Sequence, residues 1–269
     1  MTVSVDVDAF LAGCRRAVGD ADVVTDPDIT ASYVTDWTRR FHGSTPAVVR
    51  PGTTAEVAEV VGLARRHGVA VVPQGGNTGL VAGAVPLAGE VVLSLSRLRA
   101  LGPVDALAGQ VTAGAGVTLA TLAAHVAGAG LAFGVDIGAR DSATVGGMVA
   151  TNAGGLHVVR YGAMRAQVVG LEAVLGTGHV VSRLAGLVKD NTGYDLAQLL
   201  CGSEGTLGVV TAARLRLVPP PAHTVAALVG LWSVDAAVRL AGELRRTLPD
   251  VLALELMTGP SLRLVAEVL

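Results

Sequence analysis

Residues 138–155 read "GARDSATVGGMVATNAGG", with five glycines spread among Ser142, Thr144, Thr151 and Asn152. The segment from Ala143 to Ala153 is expected to form a short helix with Ser142 as its N-cap. A helix start presents free N–H groups and the positive end of a dipole, which suits an anion. Gly146 and Gly147 inside such a helix cost about 1 kcal/mol each relative to alanine. That cost implies that something packs closely on the backbone. Either an adjacent sheet or a bound anion satisfies the pattern.

Two other stretches share the bareness. "PQGGNTGL" (73–80) follows the apolar run "VAVV" (69–72), and "CGSEGTLGVV" covers 201–210. Neither is a nucleotide P-loop, since the motif needs a lysine and Lys189 is the sole lysine in the chain. A dinucleotide fingerprint of the G-x-G-x-x-G kind fails as well; "VTAGAGVTL" (111–119) lacks the third glycine. What remains is a loop whose amides, with Asn77 and Thr78, either turn the chain or hold an anion without a cationic side chain.

The surrounding sequence reads as alternating helices and strands. Residues 53–68 form a helix opened by a Thr53/Glu56 capping box, with Val57, Val60, Val61 and Ala64 on its apolar face. Strands are expected at 69–73 and 90–95. A helix at 117–130 turns Leu119, Leu122, Ala123 and Val126 inward. A hairpin over 167–182 turns at Gly176-Thr177-Gly178, and 208–219 alternates like a long strand. Pro219-Pro220-Pro221 ends this pattern and marks a domain boundary. Beyond it are expected a strand (224–231), a helix (233–248), a strand (251–257) and a helix from about Pro260. Such a β-α-β-α piece needs further strands to cover its sheet.

Composition narrows the function classes. The 269 residues are 51% hydrophobic and 16% charged, enough for a sizeable core. A net charge of −2 and 3% aromatics argue against a nucleic-acid partner. No apolar run suggests a membrane span, Cys14 and Cys201 form no C-x-x-C pair, and the N-terminus does not read as a signal peptide. The expectation is a soluble cytoplasmic protein.

Four stretches carry a resemblance: "VVRPGTTAEVAEVV" (48–61), "VVPQGGNTGLVAGAVP" (71–86), "DIGARDSATVGGMVATNAGGLHVVRYG" (136–162) and "VKDNTGYDLAQLLCGSEGTLGVVT" (188–211). In that order they resemble FAD-linked oxidases of the vanillyl-alcohol oxidase and p-cresol methylhydroxylase type, closest to the D-2-hydroxy-acid dehydrogenases, which include D-2-hydroxyglutarate dehydrogenase. The resemblance implies an α+β fold, a two-subdomain FAD-binding domain at 42–221. A lead-in segment (1–41) precedes it, and 222–269 is the truncated start of an α+β cap domain. It implies that Gln74, Gly75, Gly76, Asn77, Thr78 and Gly79 wrap the FAD pyrophosphate. Gly138, Ser142, Gly146, Gly147, Thr151, Asn152 and Gly155 would line the phosphate, ribityl and flavin stretch, and Gly205, Gly208 and Val210 the adenine or ring side. Some relatives tether FAD through a histidine in the first loop; none stands here, so FAD is expected to be non-covalent.

The activity implied is hydride transfer from a small 2-hydroxy acid to the flavin, with an electron acceptor these motifs do not specify. The family's histidine-rich metal motif is not among these residues, and the histidines at 42, 67, 125, 157, 179 and 223 are scattered. No catalytic or metal-binding residue is assigned. Arg39, Arg40 and Arg160 read as solvated arginines, and Asp190, Asp195 and Glu204 as turn and capping residues. Two alternatives stand beside this one: a catalytically incomplete FAD-binding subunit that needs a cap-bearing partner, and a different flavin oxidase on the same fold.

Overall fold

The computed structural model describes residues 5–268. The first part of the chain runs α1 (Val7–Val18), β1 (Val23–Val24), α2 (Pro27–Thr30), β2 (Val48–Val49), α3 (Thr54–His67), β3 (Val71–Gln74) and β4 (Val91–Ser94). Its four strands form a sheet in the order β1-β2-β4-β3, with β2, β4 and β3 parallel and β1 antiparallel. Strand β4 is buried at every position, as its unbroken apolar run requires of a strand covered on both faces. Because β1 pairs with β2, and Phe10, Leu11, Cys14 and Val18 share a core with α3, the described part of the lead-in, residues 5–41, belongs to this packing unit. A boundary at residue 42 does not separate it.

The second part contains β5 (Gln110–Gly114), α4 (Leu119–Ala127), β6 (Ala132–Phe133), α5 (Val145–Ala150), α6 (Val158–Tyr161), α7 (Met164–Gln167), β7 (Val168–Leu175), β8 (Val180–Arg183), α8 (Leu196–Leu200) and β9 (Gly208–Val218). Strands β5, β9, β7 and β8 form an antiparallel sheet in that order, and β6 adds to β9. The expected hairpin is β7–β8, with Val174 opposite Val180. The fold is α+β with two sheets, each over its own core.

Helix α3 joins the halves. Val57, Val60 and Val61 share a core with β4 and also with Val174 and Val209 of the second sheet. The Thr54 hydroxyl donates to Glu172 Oε1 at 2.6 Å, and Thr211 Oγ1 donates to the same oxygen at 3.2 Å. The helix starts as its sequence requires: Thr53 Oγ1 accepts from the Glu56 amide at 3.1 Å, and Glu56 Oε2 accepts from Gly52 N at 2.7 Å. It ends at Gly68, whose φ of 65° is left-handed.

Three expectations are corrected. Ala123 is exposed, because α4 is covered only along the Leu119, Leu122 and Val126 line. Helix α5 is shorter than 143–153, and its N-cap is Thr144, two residues after Ser142. The strands expected at 224–231 and 251–257 do not form; only α9 (Val234–Thr247) and α10 (Gly259–Val268) are regular there. A strand exists through its partner, and these runs lie beside none: Val225 is 91% exposed and Trp232 fully so. No helix among the described residues is long and apolar enough to cross a membrane.

Replacing Thr53 with alanine is expected to destabilise the fold by about 1 kcal/mol. Urea titration should show a lower midpoint at unchanged slope, since the loss falls on the folded state.

Candidate functional site

Strand β3 delivers the first glycine loop. Its last residue, Gln74, is 2% exposed and donates from Nε2 to the carbonyls of Tyr33 and Ala84, each at 2.8 Å. The side chain is thus committed to fastening neighbouring loops, so any contact of Gln74 with a ligand falls to its backbone. From Gly75 to Gly79 the backbone amides donate to no acceptor among the described residues. Asn77 holds a left-handed φ of 50° and donates from Nδ2 to Thr35 O at 2.8 Å. Thr78 is half-buried, and Gly79 is open, with nothing near the place of a Cβ.

The first two glycines of this loop are required by the protein itself. A Cβ on Gly76 would lie 1.7 Å from the Ser142 carbonyl oxygen, and one on Gly75 would lie 2.4 Å from Thr144 Oγ1. The 75–79 loop therefore rests directly on the start of α5, backbone against backbone.

In the second segment Arg140 is paired with Asp136 through two of its nitrogens, Nε and Nη2, which raises the guanidinium pKa above its usual value. The amides of Gly138, Ala139, Arg140 and Asp141 and those of Gly154 and Gly155 have no acceptor among the described residues. Gly146 packs on β5, where its Cβ would meet that of Ala115 at 2.6 Å, so close helix–sheet packing accounts for this glycine. The Gly147 amide points to Thr144 Oγ1 at 3.4 Å, and Thr151 Oγ1 donates back to Gly147 O at 2.9 Å. Asn152, at φ 47°, accepts the Arg165 amide at 2.8 Å. Gly155, at φ 145°, lies on the Asp136 carbonyl, where only glycine fits. The Ser142 side chain is exposed.

The third segment closes the ring. Gly202 N donates to Val149 O at 3.0 Å and Glu204 N to Ala150 O at 2.9 Å, so it sits on the C-terminal end of α5. Left-handed backbone at Gly202, Glu204 and Gly205 turns the chain back toward Pro73, 3.4 Å from the Cβ place of Gly205. The Ser203 hydroxyl is buried and has no partner among the described residues. Gly208 and Val210 lie in β9 opposite Leu175 and Ala173; both are buried and face the chain's own packing.

Arg165 and Ser203 were not singled out from sequence, and Thr144 stood there as one of the segment's polar residues but not as the cap of α5. The Arg165 guanidinium donates to the carbonyls of Gln198 and Cys201 while its backbone amide donates to Asn152 Oδ1, so one residue ties the second segment to the third. A cleft of about 850 Å³ runs from Asn152 and Arg165 beneath residues 184–195 to Arg183 and Arg216. Asp195 caps α8 through the Gln198 amide, and Asp190 accepts from Thr192 N, with its carboxyl held below the usual range chiefly by Thr192. Arg160 pairs with Asp250 at 2.5 Å. Among the described residues no group of His, Cys, Asp and Glu could hold a metal.

Chemically, the ring offers many amide donors, one buried hydroxyl without a partner among the described residues, and bare backbone, with Arg140 and Arg160 in ion pairs and Arg165 bound to carbonyls. That donor set fits a diphosphate. It contains no activated acid or base.

The family described as "FAD binding domain" matches residues 45–183, about half of the chain. Among curated proteins, the chain is 43% identical over 218 residues to a mitochondrial D-2-hydroxyglutarate dehydrogenase of Danio rerio, covering 81% of this chain and 41% of that protein. It is 40% identical to a putative mitochondrial D-lactate dehydrogenase of Schizosaccharomyces pombe, covering 91% and 47%. It is 41% identical to a D-2-hydroxyglutarate dehydrogenase of Xanthomonas citri, covering 90% and 51%. The chain thus spans about half the length of these relatives. Among solved structures, an alkyldihydroxyacetonephosphate synthase superposes with a TM-score of 0.72 at 20% identity, over 83% of this chain and 42% of that one. A grass pollen allergen with glucose dehydrogenase activity, Phl p 4, gives 0.67 at 20%, over 79% and 44%. These two share the fold.

Gly76→Val is expected to force the 75–79 loop off the Ser142 backbone and to abolish cofactor retention. Flavin absorbance per protein after gel filtration is the measurement, with far-UV circular dichroism as the control for gross folding.

Proposed function

Because this chain belongs to the FAD binding domain family, we propose that its three glycine segments hold FAD non-covalently for the oxidation of a small D-2-hydroxy acid. FAD is the cofactor of the domain, and the ring of unpaired amides around α5 is the observation that carries its placement here. The substrate class is supported by the names of relatives at 40–43% identity.

The chain's own part is binding and orientation. The amides of 75–79 and 138–141 would donate to phosphoryl oxygens, and the Ser203 hydroxyl, without a partner among the described residues, is a further donor beside them. Close backbone packing at Gly76 and Gly155 fixes these donors before the ligand arrives, which lowers the cost of ordering on binding. When bound, FAD would supply the hydride acceptor for the carbon that bears the substrate hydroxyl. The base for the hydroxyl proton and the groups that grip the carboxylate lie, in this reading, in the part of the relatives' length that this chain does not match.

A second reading is favoured by one observation: from 224 to 268 no residue is buried, Leu228, Trp232 and Leu264 are exposed, and no strand there is paired. Such a surface suits a cap-bearing polypeptide that completes the catalytic unit. The proposed location is the reducing cytoplasm, supported by free buried thiols at Cys14 and Cys201. Burial pushes both up, Cys14 to about 12, which keeps them unreactive.

The purified chain is expected to be yellow and to release intact FAD on acid precipitation; flavin left in the pellet would refute non-covalent binding. Mixed anaerobically with D-2-hydroxyglutarate, D-lactate or glycolate, this chain alone is expected to leave its flavin oxidised. General-base catalysis contributes ~10²–10⁴-fold, and no group in the ring supplies it. Rapid bleaching by any of the three would place a base within these residues.

A further inference from the structure

Beside the glycine loop stands a hairpin that neither the flavin reading nor the family match uses. Thr35 and His42 form an antiparallel bridge, and their side chains meet at 2.7 Å. Inside it Asp36, 3% exposed, accepts from Thr38 N at 3.1 Å, from Phe41 N at 3.0 Å and from the Thr38 hydroxyl. Burial pushes the Asp36 carboxyl up, but these hydrogen bonds outweigh it and hold the pKa below its usual value. Asp36 O in turn accepts from Arg39 N at 3.1 Å, which sets Arg39 in a left-handed φ of 59°.

The result is a stiff tip that displays Trp37, 71% exposed, with Arg39 and Arg40. It is fastened to the glycine loop at two points, Asn77 Nδ2 to Thr35 O and Gln74 Nε2 to Tyr33 O, each 2.8 Å. Behind it Gly43 lies against the Pro86 carbonyl, where a Cβ would come within 2.1 Å. Among the described residues neither Arg39 nor Arg40 enters an ion pair, whereas Arg140 and Arg160 are paired and Arg165 is bound to carbonyls.

We infer that this hairpin tip is a cationic arm of the cofactor site, in which Arg39 and Arg40 neutralise the FAD diphosphate held by the 75–79 amides. The inference rests on the flavin reading. Amides contribute only partial charges, and a diphosphate is better held when full cations are also at hand. Guanidinium suits the task, because its planar fork pairs with phosphate oxygens. The tie runs through Asn77, inside the loop of free amides, so the diphosphate is the nearest anion. The carboxylate of a hydroxy acid is the other anion in the proposed chemistry, and the test separates them.

Chains with Trp232→Phe, so that Trp37 is the remaining tryptophan, are stripped of flavin and titrated with FAD and with riboflavin, which has no phosphate. Trp37 quenching reports binding. The wild-type hairpin is compared with Arg39→Ala/Arg40→Ala and with Arg39→Lys/Arg40→Lys, and thermal unfolding of the flavin-free chains checks folding. The alanine pair is expected to weaken FAD roughly tenfold to hundredfold, to leave riboflavin unchanged, and to flatten the salt dependence of FAD binding. The lysine pair should recover part of the loss. Unchanged FAD affinity in the alanine pair would overturn the inference. So would an equal loss for FAD and riboflavin, which would make the tip a mere buttress of the loop. Unchanged FAD affinity would instead leave the arginines to the substrate carboxylate, the other anion of the proposed chemistry. Failure of the wild-type hairpin to bind FAD at all would sink the flavin reading itself.

Discussion

The site depends on one contact between two backbones: Gly76 lies on the Ser142 carbonyl with no room for a single carbon between them. That approach sets the distance between the loop after β3 and the start of α5, and hence between two groups of unpaired amides. The other contacts follow from it. Gly75 leaves space for the Thr144 hydroxyl, which caps α5; α5 then packs on Ala115 through Gly146 and receives the third segment on its last carbonyls. Side chains lock the assembly from outside, with Gln74, Asn77, Asn152 and Arg165 each bound to main-chain groups of a neighbouring segment.

Glycine in these segments therefore has two causes. Gly76, Gly146 and Gly155 are bare because other parts of the chain press against them, while Gly79, Gly138 and Gly154 face open space. Ligand contact and internal packing are divided among neighbouring residues of the same motifs. A motif match alone does not show that division.

Much of the fold was legible because local chemistry and tertiary packing agree. Thr53, Glu56 and Gly68 bound α3 where their chemistry says, and the Gly176-Thr177-Gly178 turn brings β7 and β8 together. The cap of α5 was misread because Ser142 and Thr144 are both good caps two residues apart; the choice falls to Thr144, the one beside Val145, which opens the buried face. The strands beyond Pro221 have strand-like composition, yet composition cannot supply the partner that makes a strand. Arg165 left no signal in the sequence, because its role depends on carbonyls more than thirty positions away.

A binding ring made from main-chain N–H groups has a consequence for how the protein tolerates change. Amides do not titrate in the range where proteins are folded, so the grip on an anion carries no proton linkage of its own. The share of the grip made by amides also survives exchange of one side chain for another, so only the share proposed for Arg39 and Arg40 is open to such a change. Genetic vulnerability moves instead to steric additions at a few contact glycines. Even the smallest step, glycine to alanine, would be severe at Gly76, while a larger change at Thr78 would leave every donor in the loop in place.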